Sequence, residues 1–172
     1  MHSFNEPAQN VPPSHLFNIR FTTLDFLQNM KIRQISVFLE NRPGRLSALC
    51  RTLAEAGINL STLTLAETGE FGLLRLITAE PDKARDVIDK AGYAATVTEV
   101  VALQVPDRPG GLASVLQVLE AQNISVEYMY AFAMRAGGDA VMVFRFDDMD
   151  RALGALQKAG VSVFKPVDLF GT

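Results

Sequence analysis

Two short polar turns stand out in a chain otherwise dominated by regular apolar patterns: Asn41-Arg42-Pro43-Gly44-Arg45-Leu46 and Asp107-Arg108-Pro109-Gly110-Gly111-Leu112. Proline followed by glycine suits the two central positions of a type II turn. Each turn leads into a helical pattern, so the first helical amides would point outward unpaired and carry partial positive charge. A carboxylate fits there, and the glycine lets it approach the backbone closely. The side-chain amide of Asn41 or the carboxylate of Asp107 would then hold an α-ammonium group, and the pair of functions describes an amino-acid zwitterion. The same spacing also fits a plain turn in which Asn41 or Asp107 caps the following helix. Arg42 and Arg108 read equally well as solvated loop charges, and no chemistry is assigned to either.

Other reactive groups are scarce. Both histidines, His2 and His15, precede Met30, so the folded part has no imidazole for a Ser-His or Cys-His system or for a metal site. Cys50 is the single cysteine and sits on an apolar helix face, which excludes an intrachain disulfide and a thiolate cluster. No metal and no cofactor is expected. An enzyme would have to draw on groups such as Lys31, Glu40 or Asp107, and none of these forms a recognisable catalytic set, so the protein is read as non-catalytic. The net charge of −3 and pI near 5.4 offer no broad basic surface to nucleic acid or anionic lipid. Arg33, Arg51, Arg75 and Arg145 interrupt every apolar run well short of the roughly 18 to 20 residues that span a bilayer. Residues 1–29 lack the order of a signal peptide, and a cytoplasmic location is expected.

The elements that must position the turns emerge from an internal repeat. The shift of 66 that carries Arg42-Pro43-Gly44 onto Arg108-Pro109-Gly110 also places Leu46 on Leu112, Leu53 on Leu119 and Ile58 on Ile124. After two extra residues near Gly137-Gly138 the shift becomes 68, and Lys90-Ala91-Gly92 falls on Lys158-Ala159-Gly160. Each unit reads as strand, helix, strand, strand, helix, strand. Ile35, Val37 and Leu39 have the spacing of one strand face, as do Val101, Leu103 and Val105. Leu46, Leu49, Cys50 and Leu53, and their twins Leu112, Val115, Leu116 and Leu119, form single helical stripes, with Gly57 and Asn123 at the exits. Pro81 opens a second helix that ends at Gly92, and final strands are expected near Ala94–Thr98 and Val161–Phe164. The expectation is an α+β fold of two ferredoxin-like βαββαβ units packed through their sheets, over residues 30–99 and 100–172, preceded by a loosely ordered extension, residues 1–29.

The run Ile35-Ser-Val-Phe-Leu-Glu-Asn-Arg-Pro-Gly-Arg-Leu46, followed by Ala56-Gly-Ile-Asn-Leu60, resembles an ACT domain. Val101-Ala-Leu-Gln-Val-Pro-Asp-Arg-Pro-Gly-Gly-Leu112 with Asn123-Ile-Ser125 resembles it too, so the likeness runs from Met30 to the C-terminus. It implies a small regulatory module that binds a free amino acid, with sheets joined edge to edge and ligands between the turn of one copy and the start of the second strand of the other. Carried over by position, it adds Asn59 and Ser125 to the two turns. One pocket would pair the Asn41 turn with Ser125, and the other the Asp107 turn with Asn59. Thr62, Glu127 and Tyr128 would shape specificity or serve as surface and edge residues. Asp107 and Ser125 depart from the family's pattern, which makes the two pockets inequivalent.

The resemblance implies an allosteric role in amino-acid metabolism, a homodimer, and a metabolic enzyme or regulator as partner. Two forms are open: a stand-alone sensor, or the regulatory subunit of a biosynthetic enzyme such as acetolactate synthase. Leu39-Glu40-Asn41, Pro43-Gly44 and Gly57-Ile58-Asn59 also resemble that enzyme's small subunit, whereas the second copy repeats the ACT pattern instead. An RNA-binding module of this topology would need stacking aromatics on its central strands and a basic face, and neither is evident.

Overall fold

A computed structural model of the protein describes residues 27–170. The elements follow the expected order: β1 (Ile32–Glu40), α1 (Arg45–Glu55), β2 (Thr62–Thr68), β3 (Phe71–Ile77), α2 (Pro81–Lys90), β4 (Ala95–Val105), α3 (Gly111–Glu120), β5 (Val126–Ala136), β6 (Asp139–Phe146), α4 (Met149–Lys158), β7 (Val163–Phe164) and α5 (Pro166–Phe170). The apolar stripes become the buried faces, Leu49 and Leu53 in α1 and Val115 and Leu119 in α3. Helix exits fall at positive φ, 73° at Gly57 and 51° at Asn123, where glycine and asparagine tolerate the left-handed region. The expectation for residues 1–26 lies outside the described residues.

The strand order is β2-β3-β1-β4-β6-β5, with β7 also paired to β4 and every pairing antiparallel. One departure from expectation governs the molecule. The last strand of the first unit and the first strand of the second are one continuous strand, β4, whose residues 95–100 pair with β1 and whose residues 101–105 pair with β6. Side chains alternate along a strand, so odd and even residues of β4 keep their faces throughout. Ala95 joins the first helix-side core, around Ile35, Val37, Leu74 and Ile88. Val101, Leu103 and Val105 join the second, around Phe144, Leu119 and Leu156. The even residues Val100 and Ala102 enter a third core with Ile32, Ile77, Phe132, Val141 and Val143. This third core lies between the helix-free faces of the two sheets, so the units pack face against face.

The edge-to-edge joint implied by the resemblance is not built within the chain. β2 and β5 end the strand order, and Thr62 Oγ1 donates to the Ala131 carbonyl at 3.3 Å where they approach. Polar groups fix the seam instead. Gln34 is fully buried; its Nε2 donates to the Tyr128 hydroxyl at 2.9 Å and lies 3.1 Å from Ser36 Oγ and 3.2 Å from Thr98 Oγ1. Its Oε1 accepts from the Tyr130 hydroxyl at 2.9 Å. Elsewhere along the joint, Lys31, its side chain 8% exposed, pairs with Glu99 at 3.1 Å and with Asp150 of α4 at 3.0 Å. β7 is shorter than the expected final strand, and α5 after Pro166 has no counterpart in the first unit.

Two seam groups titrate outside their ordinary ranges. Burial opposes the Lys31 charge, but hydrogen bonds to Asp150 and Glu99 outweigh it, and its pKa is raised. Burial, with the neighbouring Tyr128, pushes the Tyr130 hydroxyl up against an opposing effect of Arg75. In both cases the folded state retains a proton that the unfolded chain releases, so each stabilising contribution is complete below the unfolded pKa, about 10 to 10.5, and is lost above it. The thermal midpoint is therefore expected to hold between about pH 7 and 9 and to fall above about pH 10. The alkaline fall should be shallower in a Lys31→Met, Tyr130→Phe double variant; an identical slope in scanning calorimetry would contradict this assignment.

Candidate functional site

The two Pro-Gly turns fold alike for a local reason. Gly44 and Gly110 occupy the N-cap positions of α1 and α3 at φ 85° and 84°, and neither helix has a side-chain cap. Glycine has no side-chain oxygen to offer the first-turn amides, unlike Asp148, whose carboxylate accepts from Arg151 N at 3.0 Å at the start of α4. The N-cap residue is thus the glycine itself in both turns, and neither Asn41 nor Asp107 occupies that position. The first turn closes with Arg45 N donating to the Arg42 carbonyl at 3.3 Å, and the second with Gly111 N donating to the Arg108 carbonyl at 2.9 Å. Leu46 and Leu112 anchor the turns in the two helix-side cores.

Asn41, Arg42, Pro43, Gly44 and Arg45 are all exposed. Asn41 is held by the β2–β3 hairpin, its main-chain N donating to Glu70 O at 2.8 Å and its Nδ2 to Gly69 O at 3.2 Å. This fixes the amide beside the turn. The Arg45 guanidinium pairs with Glu40 at 3.1 Å, so it belongs to the wall of the turn. Nothing described gives Arg42 or Arg108 a chemical role.

The second turn is more closed. Asp139 Oδ1 accepts from Asp107 N at 3.4 Å, and its Oδ2 accepts from Gln104 Nε2 at 2.9 Å. Gly111 is buried, and a Cβ there would lie 1.9 Å from the Pro106 carbonyl oxygen. A cleft of about 220 Å³ flanks this turn, lined in part by Gln104, Pro106, Ser114, Asp139 and Ser162. Asp139 was not foreseen; it follows the glycine pair at which the second unit is two residues longer.

Asn59 and Ser125 lie at the opposite ends of their own sheets from the turns. Asn59 is exposed just before Ser61, whose N donates to Ile77 O, and Ser125 exchanges bonds with Asp147 at 3.0 and 3.2 Å. The turns themselves flank opposite ends of β4, whose eleven residues make roughly 35 Å of strand. Thr62 is buried, Glu127 pairs with Arg145 at 3.1 Å, and Tyr128 belongs to the seam. Among the described residues no group of His, Cys, Asp and Glu could hold a metal, and no helix is long and apolar enough to cross a membrane.

Residues 30–169 match the family model described as an ACT domain pair. Protein BT0572 from Bacteroides thetaiotaomicron is 39% identical, with a TM-score of 0.77 over 83% of this chain and 98% of that one. The ligand-free regulatory subunit of aspartate kinase from Thermus thermophilus is 14% identical, with a TM-score of 0.57 over 76% of this chain and 94% of that one. Its counterpart from Thermus flavus is 15% identical, with a TM-score of 0.55 and the same coverages. At those identities the likeness is one of fold. No protein of curated function matches the chain.

The turns should differ in tolerance. Gly44→Ala meets open space and costs only the left-handed conformation, about 1 to 2 kcal/mol. Gly111→Ala must displace a backbone carbonyl and is expected to cost about 3 kcal/mol or more. Urea unfolding measures both, and equal losses would contradict the tighter closure of the second turn.

Proposed function

The chain belongs to the ACT domain pair family, whose modules are regulatory and non-catalytic, and from that premise we propose that its first turn binds a free amino acid and that the chain serves as a regulatory subunit. One observation carries the reading: a fully exposed turn presents first-turn amides without a side-chain cap, beside an asparagine held in place by the neighbouring hairpin. The ligand carboxylate takes the amides of Gly44 and Leu46, on either side of the Arg45 amide that closes the turn, and the Asn41 side-chain oxygen is shared with its ammonium. The second turn, with Asp107, Gly110, Gly111, Leu112 and Arg108 on its rim, is the weaker seat because Gly111 is buried hard against the Pro106 carbonyl.

The ligand's remaining contacts come from a second copy. β2 is a regular edge strand with Leu63 and Leu65 exposed at 44% and 48%, whereas β5, the other edge, carries register shifts that blunt it. Two β2 edges paired across a dyad give a homodimer and bring Asn59 of one copy toward the Asn41 turn of the other. Ser125, on the blunted edge, then serves the weaker second seat. Ligand bound across that joint shifts the assembly by its difference in affinity for open and closed forms.

The subunit form is favoured over a stand-alone sensor because the regulatory subunits of aspartate kinase from Thermus thermophilus and Thermus flavus share this paired fold over nearly their whole length. The enzyme regulated is then one of amino-acid biosynthesis, encoded separately.

Calorimetric titration with each of the twenty amino acids is expected to yield at least one ligand. Asn41→Ala should weaken it tenfold or more, about 1.4 kcal/mol, Asn59→Ala should weaken it as well, and Asp107→Ala, at the far turn, should leave it unchanged. Leu65→Lys should give a monomer in light scattering. Twenty silent titrations would end the proposal, and failure to copurify a biosynthetic enzyme from extracts of the source cells would return the sensor form.

A further inference from the structure

Arg75 is a charged side chain in the interior of the first sheet's helix-free face. It projects from β3 between Ser36 of β1 and Thr64 of β2 in register, with Leu73 and Ile77 as its same-face neighbours along the strand. Across the seam its guanidinium carbon lies 4.0 Å from the centroid of the Tyr128 ring. That stack satisfies the face of the guanidinium and leaves its in-plane donors to find acceptors elsewhere. Nε is buried and has no hydrogen-bond partner. No carboxylate is paired with Arg75 in the described structure, whereas Lys31, Arg33, Arg45, Arg85, Arg145 and Arg151 each have at least one.

Its neighbours are neutral: Ser36 and Thr64 in register on the adjoining strands and the Tyr128 ring across the seam. A guanidinium with an orphaned donor and no negative charge beside it is the cationic half of an oxyanion site. Thr64, level with Arg75 on the edge strand β2, is only partly buried, as is the Arg75 side chain as a whole. The place is distinct from the first turn. That turn begins after Glu40, which is level with Phe71, and the strand from residue 71 to 75 puts Arg75 roughly 13 Å away.

We propose that Arg75 anchors a small oxyanion, a carboxylate or a phosphate, in the seam between the helix-free faces of the two sheets, as a second site independent of the Pro-Gly turns. An anion there completes the Arg75 charge and bridges β3 of the first unit to β5 of the second, so its binding tightens the joint between units.

The test uses the full chain. The ¹⁵N–¹H signal of Arg75 Nε is followed by NMR in the wild type while sodium phosphate or sodium acetate replaces sodium chloride at constant ionic strength. A saturable shift in the millimolar range with at least one of them, accompanied by a higher thermal midpoint, is expected. Phosphate acting alone assigns a phosphate-type ligand, and acetate acting alone a carboxylate. Arg75→Met should lose the thermal response and Asn41→Ala should keep it, which separates this site from the turn. Should the Met variant fail to fold, Arg75→Lys keeps the charge but lacks the Nε donor and should bind at least tenfold more weakly. A signal that moves with neither anion, a shift that only drifts with concentration, or a substituted chain that responds like the wild type would each overturn the proposal.

Discussion

The pleat of one strand governs this molecule. Because β4 runs unbroken through both units, the two-residue period that points Ala95 at the first helical layer also points Val101, Leu103 and Val105 at the second. A one-residue slip between the units would turn one set of core residues outward, so the pair can keep both cores only in this register. The even residues are thereby committed to a common helix-free side, and burying Val100 and Ala102 there brings the two sheets face to face.

That face-to-face seam contains unusual chemistry for a sheet interior. An apolar patch alone would bury area without fixing an angle, whereas the Gln34 amide must meet the hydroxyls of Tyr128 and Tyr130 to avoid an unsatisfied buried group. Lys31 adds a second fixed point where β1, β4 and α4 meet. The seam is thus specified by directional bonds, while the Pro-Gly turns lie outward at the two ends of β4. Regulation through such a pair would act on the exposed turn and edge of the first unit while the seam holds the second unit in place.

Much of the fold was legible in the chain. The repeat, the helix stripes, the exits at Gly57 and Asn123 and the two Pro-Gly turns all follow from local spacing and backbone chemistry. What escaped is nonlocal. Gln34, Ser36 and Arg75 alternate with apolar residues as the solvent face of a half-buried sheet would, and only the docking of β5 turns that face into an interior. Likewise nothing in Ala95 through Val105 says that two expected strands are one, because turn residues are absent there and continuity must be inferred from their lack. At the site, the glycine turns were readable, but the hold of Gly69 and Glu70 on Asn41, and of Asp139 on Asp107, depends on hairpins distant in sequence.

The central claim is that uncapped main-chain donors at the first turn grip a zwitterion. Backbone amide NMR on the full chain, titrated with pooled amino acids, addresses it directly. The account predicts that the amides of Gly44, Arg45 and Leu46 move saturably together with the Asn41 side-chain amide. Saturable movement confined to other residues, with these four signals still, would contradict it.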